Sequence, residues 1–175
     1  MMAAATGPSD RSGAVLSPCG TWRYRLTRRW GDAPLALFVM LNPSTADAEI
    51  DDPTIRKCVG FARRWGMGGV VVGNLFAFRA TRPADMLAAA DPVGPDNRAW
   101  LEEMAAGAAA SGGIVVCAWG ANGKHMDQDA AVLGWLEAAG VRPTALRVNK
   151  DGTPMHPLYV PYETVPSPYG GRAQA

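Results

Sequence analysis

Three apolar runs that do not alternate constrain this chain more than any other feature. Residues 35–41, 70–75 and 113–117 carry small and hydrophobic side chains on almost every successive position. A strand with one face in water alternates, because neighbouring side chains point to opposite faces. A run without alternation is a strand covered on both. The sequence between the first two runs supplies the cover. Asp52 precedes Pro53, the pairing of a helix cap with a proline at the first helical position. Ile55, Cys58, Val59, Ala62 and Trp65 then recur on one helical face, and Gly66, Gly68 and Gly69 end the pattern. Strand, helix, strand is a crossover unit, which predicts parallel strands joined with a right-handed turn.

The same reading extends along the chain. Residues 14–17 and 22–29 form two short strands joined through Pro18, Cys19 and Gly20. The second alternates, with Trp22, Tyr24 and Leu26 on one face and Arg23, Arg25 and Thr27 on the other. A long loop over 76–96 holds a short helix at 83–90. Further helices are predicted at 97–110 and 126–139, and a fourth core strand at 144–148. From Asp151 onward, prolines 154, 157, 161, 166 and 168 exclude regular structure. This order predicts a three-layer α/β/α sandwich with a central, mainly parallel four-stranded sheet and an N-terminal β-hairpin. Residues 13–165 make one domain, with flexible tails at 1–12 and 166–175.

Composition narrows the function classes. Of 175 residues 48% are hydrophobic and 19% charged, enough for a packed core. The net charge of +1 gives no global attraction to duplex DNA. Two local basic stretches, Arg23 to Arg29 and Arg56 to Arg64, fit either a solvated face or a phosphate contact. Cys19, Cys58 and Cys117 are far apart and odd in number, which argues against a disulfide framework or a cysteine metal site. Cys58 and Cys117 fall within apolar patterns, as buried thiols do. No apolar run is long enough to span a bilayer, and the first twelve residues lack the order of a signal peptide. A cytoplasmic location is the expectation, and the sequence is silent on oligomeric state.

In open parallel sheets ligands bind beyond the carboxyl ends of the strands. Four segments leave strands there: 42–52, 74–82, 119–122 and 151–159. The first offers Asn42, Pro43, Ser44, Thr45 and Asp47. Asn42 can orient a water or bind a base edge, Ser44 or Thr45 a phosphate or polar ligand, and all of them also suit a plain turn. Asp47, Asp51 and Asp52 can supply a general base or hold Mg²⁺, although a helix cap alone accounts for Asp52. In the second segment Asn74, Phe76, Phe78, Arg79 and Arg82 combine an amide, stacking faces and phosphate-binding cations. Trp119 and Asn122 follow the third strand. His156, between Met155 and Pro157, is aimed by a rigid backbone and can bond a carbonyl oxygen that gains negative charge. None of the common serine-hydrolase, phosphate-loop, zinc-protease or dinucleotide motifs occurs.

The residues Met40 to Asp47, Asp51 to Thr54, Gly73 to Arg79 and His156 to Tyr159 resemble the motifs of a bacterial and phage family known as domain of unknown function 1643. That resemblance implies no activity. A more distant one, to the uracil-DNA glycosylase superfamily, implies a three-layer fold with a parallel four-stranded sheet. Asn42-Pro43 resembles its first motif, Asn74 and Arg82-Pro83 a middle motif, and His156-Pro157 a late one. By that likeness Asn42 orients the attacking water, Asn74 reads a base edge and His156 stabilises the departing base, with Phe76 or Phe78 stacking on it. Ser44 stands where one branch has glycine, and Leu158 and Tyr159 replace small residues that follow the late motif. The resemblance therefore implies a nucleobase, nucleotide or single-stranded nucleic acid as partner, and an N-glycosidic hydrolase without a cofactor. Two other readings remain open: a non-catalytic module that binds nucleic acid or protein, and a metal-assisted hydrolase built on Asp47, Asp51 and Asp52. The first reading requires Asn42, Asn74 and His156 to line one cavity.

Overall fold

The three apolar runs become the centre of one sheet. The computed structural model describes residues 12–172. Its strands are β1 (Ser12–Leu16), β2 (Arg23–Arg29), β3 (Leu35–Met40), β4 (Gly69–Asn74), β5 (Ile114–Cys117), β6 (Thr144–Ala145) and β7 (Ser167–Pro168). They lie in the order β1-β2-β4-β3-β5-β6-β7. The middle four, β4-β3-β5-β6, are parallel, and β2 and β7 pair antiparallel at their two sides. The sheet therefore has seven strands where four were expected, and its centre is parallel.

Alternating residues of each central strand feed two cores. Ala36, Phe38 and Met40 pack with Ile55, Cys58 and Phe61 of α1 (Pro53–Arg64). Leu37 and Val39 pack on the other face with Leu101 and Met104 of α3 (Asn97–Ser111) and Leu133 and Leu136 of α4 (Gln128–Ala138). A short α2 (Pro83–Leu87) sits in the long loop. Helix, sheet and helix make the three layers. Gly73 shows how closely they meet: a Cβ there would lie 2.7 Å from the Met104 methyl and 2.8 Å from Leu101.

The helices start and stop for the reasons the residues supply. Asp52 Oδ1 accepts from Ile55 N at 2.9 Å, and Gly112 ends α3 at φ +71°. The helix expected from 126 begins only at Gln128. Met126 and Asp127 take left-handed backbone, and a 3-10 turn over Ala121–Asp127 precedes α4. The strand expected at 144–148 is cut to two residues plus a bridge from Val148 to Pro154.

Two expectations about chain ends and arginines change. Of the expected N-terminal tail only Ser12 is described, and it already belongs to β1. The stretch from 166, expected as a tail, contributes β7 and buries Tyr169, whose hydroxyl donates to Gly152 O at 2.8 Å. Arg172 follows and pairs with buried Asp129 at 2.6 Å. The arginines of β2 divide. Arg25 lies over the Trp100 ring on the α3 side, whereas Arg28 is buried and pairs with Asp51 at 2.7 Å on the α1 side. Within α1, Lys57 and Arg64 flank the ring of Tyr162. These cations hold the protein's own surfaces together.

Candidate functional site

A cavity of about 400 Å³ opens at the carboxyl ends of β3, β4 and β5. Asn42 and Ser44 enter it from the loop after β3, and Asn74 from the end of β4. Trp119 and Asn122 come from the segment after β5, and His156 from the proline-rich segment. The three residues required to converge, Asn42, Asn74 and His156, therefore line one space.

Each is held by its own backbone contacts. Asn42 Nδ2 donates to Ala80 O at 2.9 Å and Pro43 O at 3.1 Å. Two carbonyl acceptors fix the amide orientation and leave Oδ1 as the free acceptor. Asn74 is 2% exposed, and its Nδ2 has no partner. Its main chain is pinned from behind: Asn97 Nδ2 donates to Asn74 O at 2.9 Å and to Leu75 O at 3.1 Å, and Gln128 donates to Leu75 O. His156 Nδ1 accepts from Leu158 N at 3.2 Å, so the proton of the neutral ring sits on Nε2. Burial pushes its pKa down, against the opposing pull of Asp52, so the neutral ring persists at neutral pH.

The other expected residues separate into two groups. Ser44, Trp119 and Asn122 line the cavity. Trp119 does so with a ring that is fully buried and packed edge-on against Tyr169. The remainder stand elsewhere. Asp47 Oδ1 accepts from Glu49 N and Ile50 N, both at 2.8 Å, and these bonds hold its carboxyl below the usual range. Asp51 is spent on Arg28. Phe76 is in the core against His125, and Phe78 packs on the same core. Arg79 donates to Gly20 O at 3.2 Å, and Arg82 pairs with Asp85 on the surface. Pro43 is buried under the loop with its carbonyl bonded to Ala80 N, and Thr45 is exposed outside the cavity. The acidic cluster is therefore dispersed over three separate tasks. Among the described residues no three His, Cys, Asp or Glu side chains gather to hold a metal.

Two residues that the glycosylase likeness does not include complete the wall. Asp52, besides capping α1, is the one acidic side chain among the described residues that lines the cavity. Arg23 lines it too, although strict alternation assigned it to the opposite face. The reason is a bulge. Val15 lies opposite Arg25 and Leu16 opposite Arg23, so Tyr24 is an extra residue in β2. Arg23 thereby takes the face of Leu26 and Arg28. Its Nη1 donates to Ala46 O, and burial lowers its pKa to about 10, leaving it charged at neutral pH. Its Nε has no partner. A larger groove, about 760 Å³, lies between the hairpin and α3. Among the described residues no unpartnered buried polar atom belongs to its lining, and none of the segments after the core strands reaches it.

Residues 23–158 match a family model described as "Protein of unknown function (DUF1643)". No curated protein matches the chain, and no solved structure does. None of these comparisons brings in a uracil-DNA glycosylase, so that likeness rests on the motifs alone. Among the described residues no helix is long and apolar enough to cross a membrane.

Proposed function

The chain belongs to the DUF1643 family, a family without an assigned activity, and from its cavity we propose that it recognises a nucleobase, free or within a nucleotide or single strand, and hydrolyses its N-glycosidic bond. One observation carries the reading: two asparagines and a neutral histidine from three distant segments line a single cavity at the carboxyl ends of the parallel strands. Its size suits a ligand of this class.

The residues divide the work. Asn42 Oδ1, the free end of a fixed amide, accepts from a water and holds it for attack on the sugar carbon. Asp52, one of the three aspartates that the sequence offers as a general base, takes the water's proton. The carbon–nitrogen bond breaks with its electron pair on the base. His156 Nε2–H donates to a base oxygen as that oxygen gains charge. Asn74 donates from the floor to a base edge. Phe76 and Phe78 have no stacking role in this scheme, because both are packed away from the cavity.

The test incubates the protein with uracil-containing single- and double-stranded DNA and with a panel of nucleotides. The expected result is free base from at least one substrate, lost in Asn42→Ala and His156→Ala. No free base and no thermal shift from any ligand would overturn the proposal. A second reading, binding without turnover, is favoured by the removal of Asp47 and Asp51 from the cavity. It predicts a thermal shift with no free base, and binding unchanged by substitution of either aspartate.

A further inference from the structure

We propose that Arg23 reads a carbonyl oxygen of an uncharged heterocyclic ligand in this cavity, an inference that rests on the base-recognition reading above. Arg23 is 3% exposed, yet it forms none of the ion pairs found among the described residues. Its described side-chain bond is to Ala46 O, through Nη1, and Nε is left without a partner. A buried cation without a paired anion, and a buried donor without an acceptor, are both costly to keep. Asn74, on the adjacent strand β4, lines the same cavity and carries a second buried donor without a partner, Nδ2. With Trp119 Nε1, also buried and unpartnered, three lining residues carry a donor without an acceptor, which calls for a ligand with several acceptors.

The charge of the ligand follows from Asp52. Its carboxylate lines the cavity and acts electrostatically on both Arg23 and His156. Arg23 and Asp52 balance, and His156 is neutral. A phosphate placed here would meet the Asp52 carboxylate as well as Arg23, whereas an uncharged ring with carbonyl and N–H groups meets donors on Arg23, Asn74 and His156 and acceptors on Asp52 and Asn42. The bulge at Tyr24 is what brings Arg23 to this wall, so the chain departs from regular pairing at the position where the donor is wanted.

The experiment couples a ligand atom to the side chain. Binding of uracil and hypoxanthine is compared with that of pyrimidin-2-one, pyrimidin-4-one and purine, each lacking one ring oxygen, in the natural protein and in Arg23→Lys. Losing the oxygen that Arg23 reads should weaken binding to the natural protein about tenfold or more, as for a charged hydrogen bond. In Arg23→Lys the same loss should fall below about threefold, because a methylene replaces the Nε donor. If the lysine variant does not fold, Arg23→Met, which keeps the stem without donors, serves for the same comparison. Equal losses in both proteins for every pair overturn the role of Arg23 and leave base recognition standing. Inorganic phosphate and uridine 5′-monophosphate form a separate arm. A phosphate-dependent gain in affinity that disappears in the variant overturns the uncharged ligand. If none of the bases or nucleotides binds, base recognition itself falls, and this inference with it.

Discussion

Asn42 spends both hydrogens of its amide on main-chain carbonyls, and that makes the residue chemically testable. Asn42→Asp is nearly isosteric, but it sets a carboxylate against Pro43 O and Ala80 O. Urea denaturation should show a loss of about 2 kcal/mol, the penalty for unsatisfied buried groups. His156 gives a pH signature. Its pKa is lowered by burial, so the folded state disfavours the charged ring. The unfolded chain binds the proton more readily, near its ordinary pKa of about 6.5. The stability contribution is therefore complete above that pH and is lost as pH falls through the folded pKa. Thermal unfolding between pH 5 and 8 should show this acid decline, and His156→Gln should flatten it. These residues were legible in the sequence because they stand where strands end. Asp47 misled because nearness in sequence says nothing of orientation: its turn faces its own amides, whereas Asp52, for which a cap was explanation enough, lines the cavity as well.

At the scale of elements, α1 joins stability to chemistry through one residue. Asp52→Ala should cost about 1 kcal/mol by loss of the cap. Asp52→Ser keeps a capping oxygen and should cost clearly less, while turnover falls equally in both. Chemical denaturation alongside a free-base assay separates the two roles, and turnover unaffected in either variant would remove Asp52 from the mechanism. Gly60 provides a second test. Alanine favours a helix over glycine by about 1 kcal/mol, yet its Cβ would lie 2.5 Å from the Tyr162 hydroxyl. Gly60→Ala should thus destabilise the natural protein and stabilise a Tyr162→Ala background. The start of α1 could be read from Asp52 and Pro53, and β3, β4 and β5 from their unbroken apolar runs. The late start of α4 could not, because Met126 and Asp127 adopt left-handed backbone that neither side chain announces. Arg23 was misassigned for a related reason. A bulge is a property of two paired strands, and one strand's pattern does not reveal it.

At the scale of the molecule, the cavity depends on contacts made far along the chain. Tyr169 lies in the stretch that reads as a tail, because prolines hide its order, yet it packs against Trp119 and bonds Gly152 O in the segment leading to His156. Tyr169→Phe should cost about 1 kcal/mol and Tyr169→Ala about 3 kcal/mol, read by thermal or urea unfolding. Ligand affinity should fall in the alanine variant even though Tyr169 does not line the cavity. An alanine variant that binds as well as the natural protein would show that the Trp119 wall stands without this support.

Tyr24, as the surplus residue of β2, makes the facing of Arg23 a matter of counting rather than of residue type. Removing one codon from that strand would restore regular pairing and swing the guanidinium towards the groove beside α3, with every other amino acid of the cavity unchanged. Relatives that differ by such a gap would keep the scaffold and lose the arginine from their binding chamber, a change of ligand preference that position-by-position comparison of residue types would overlook.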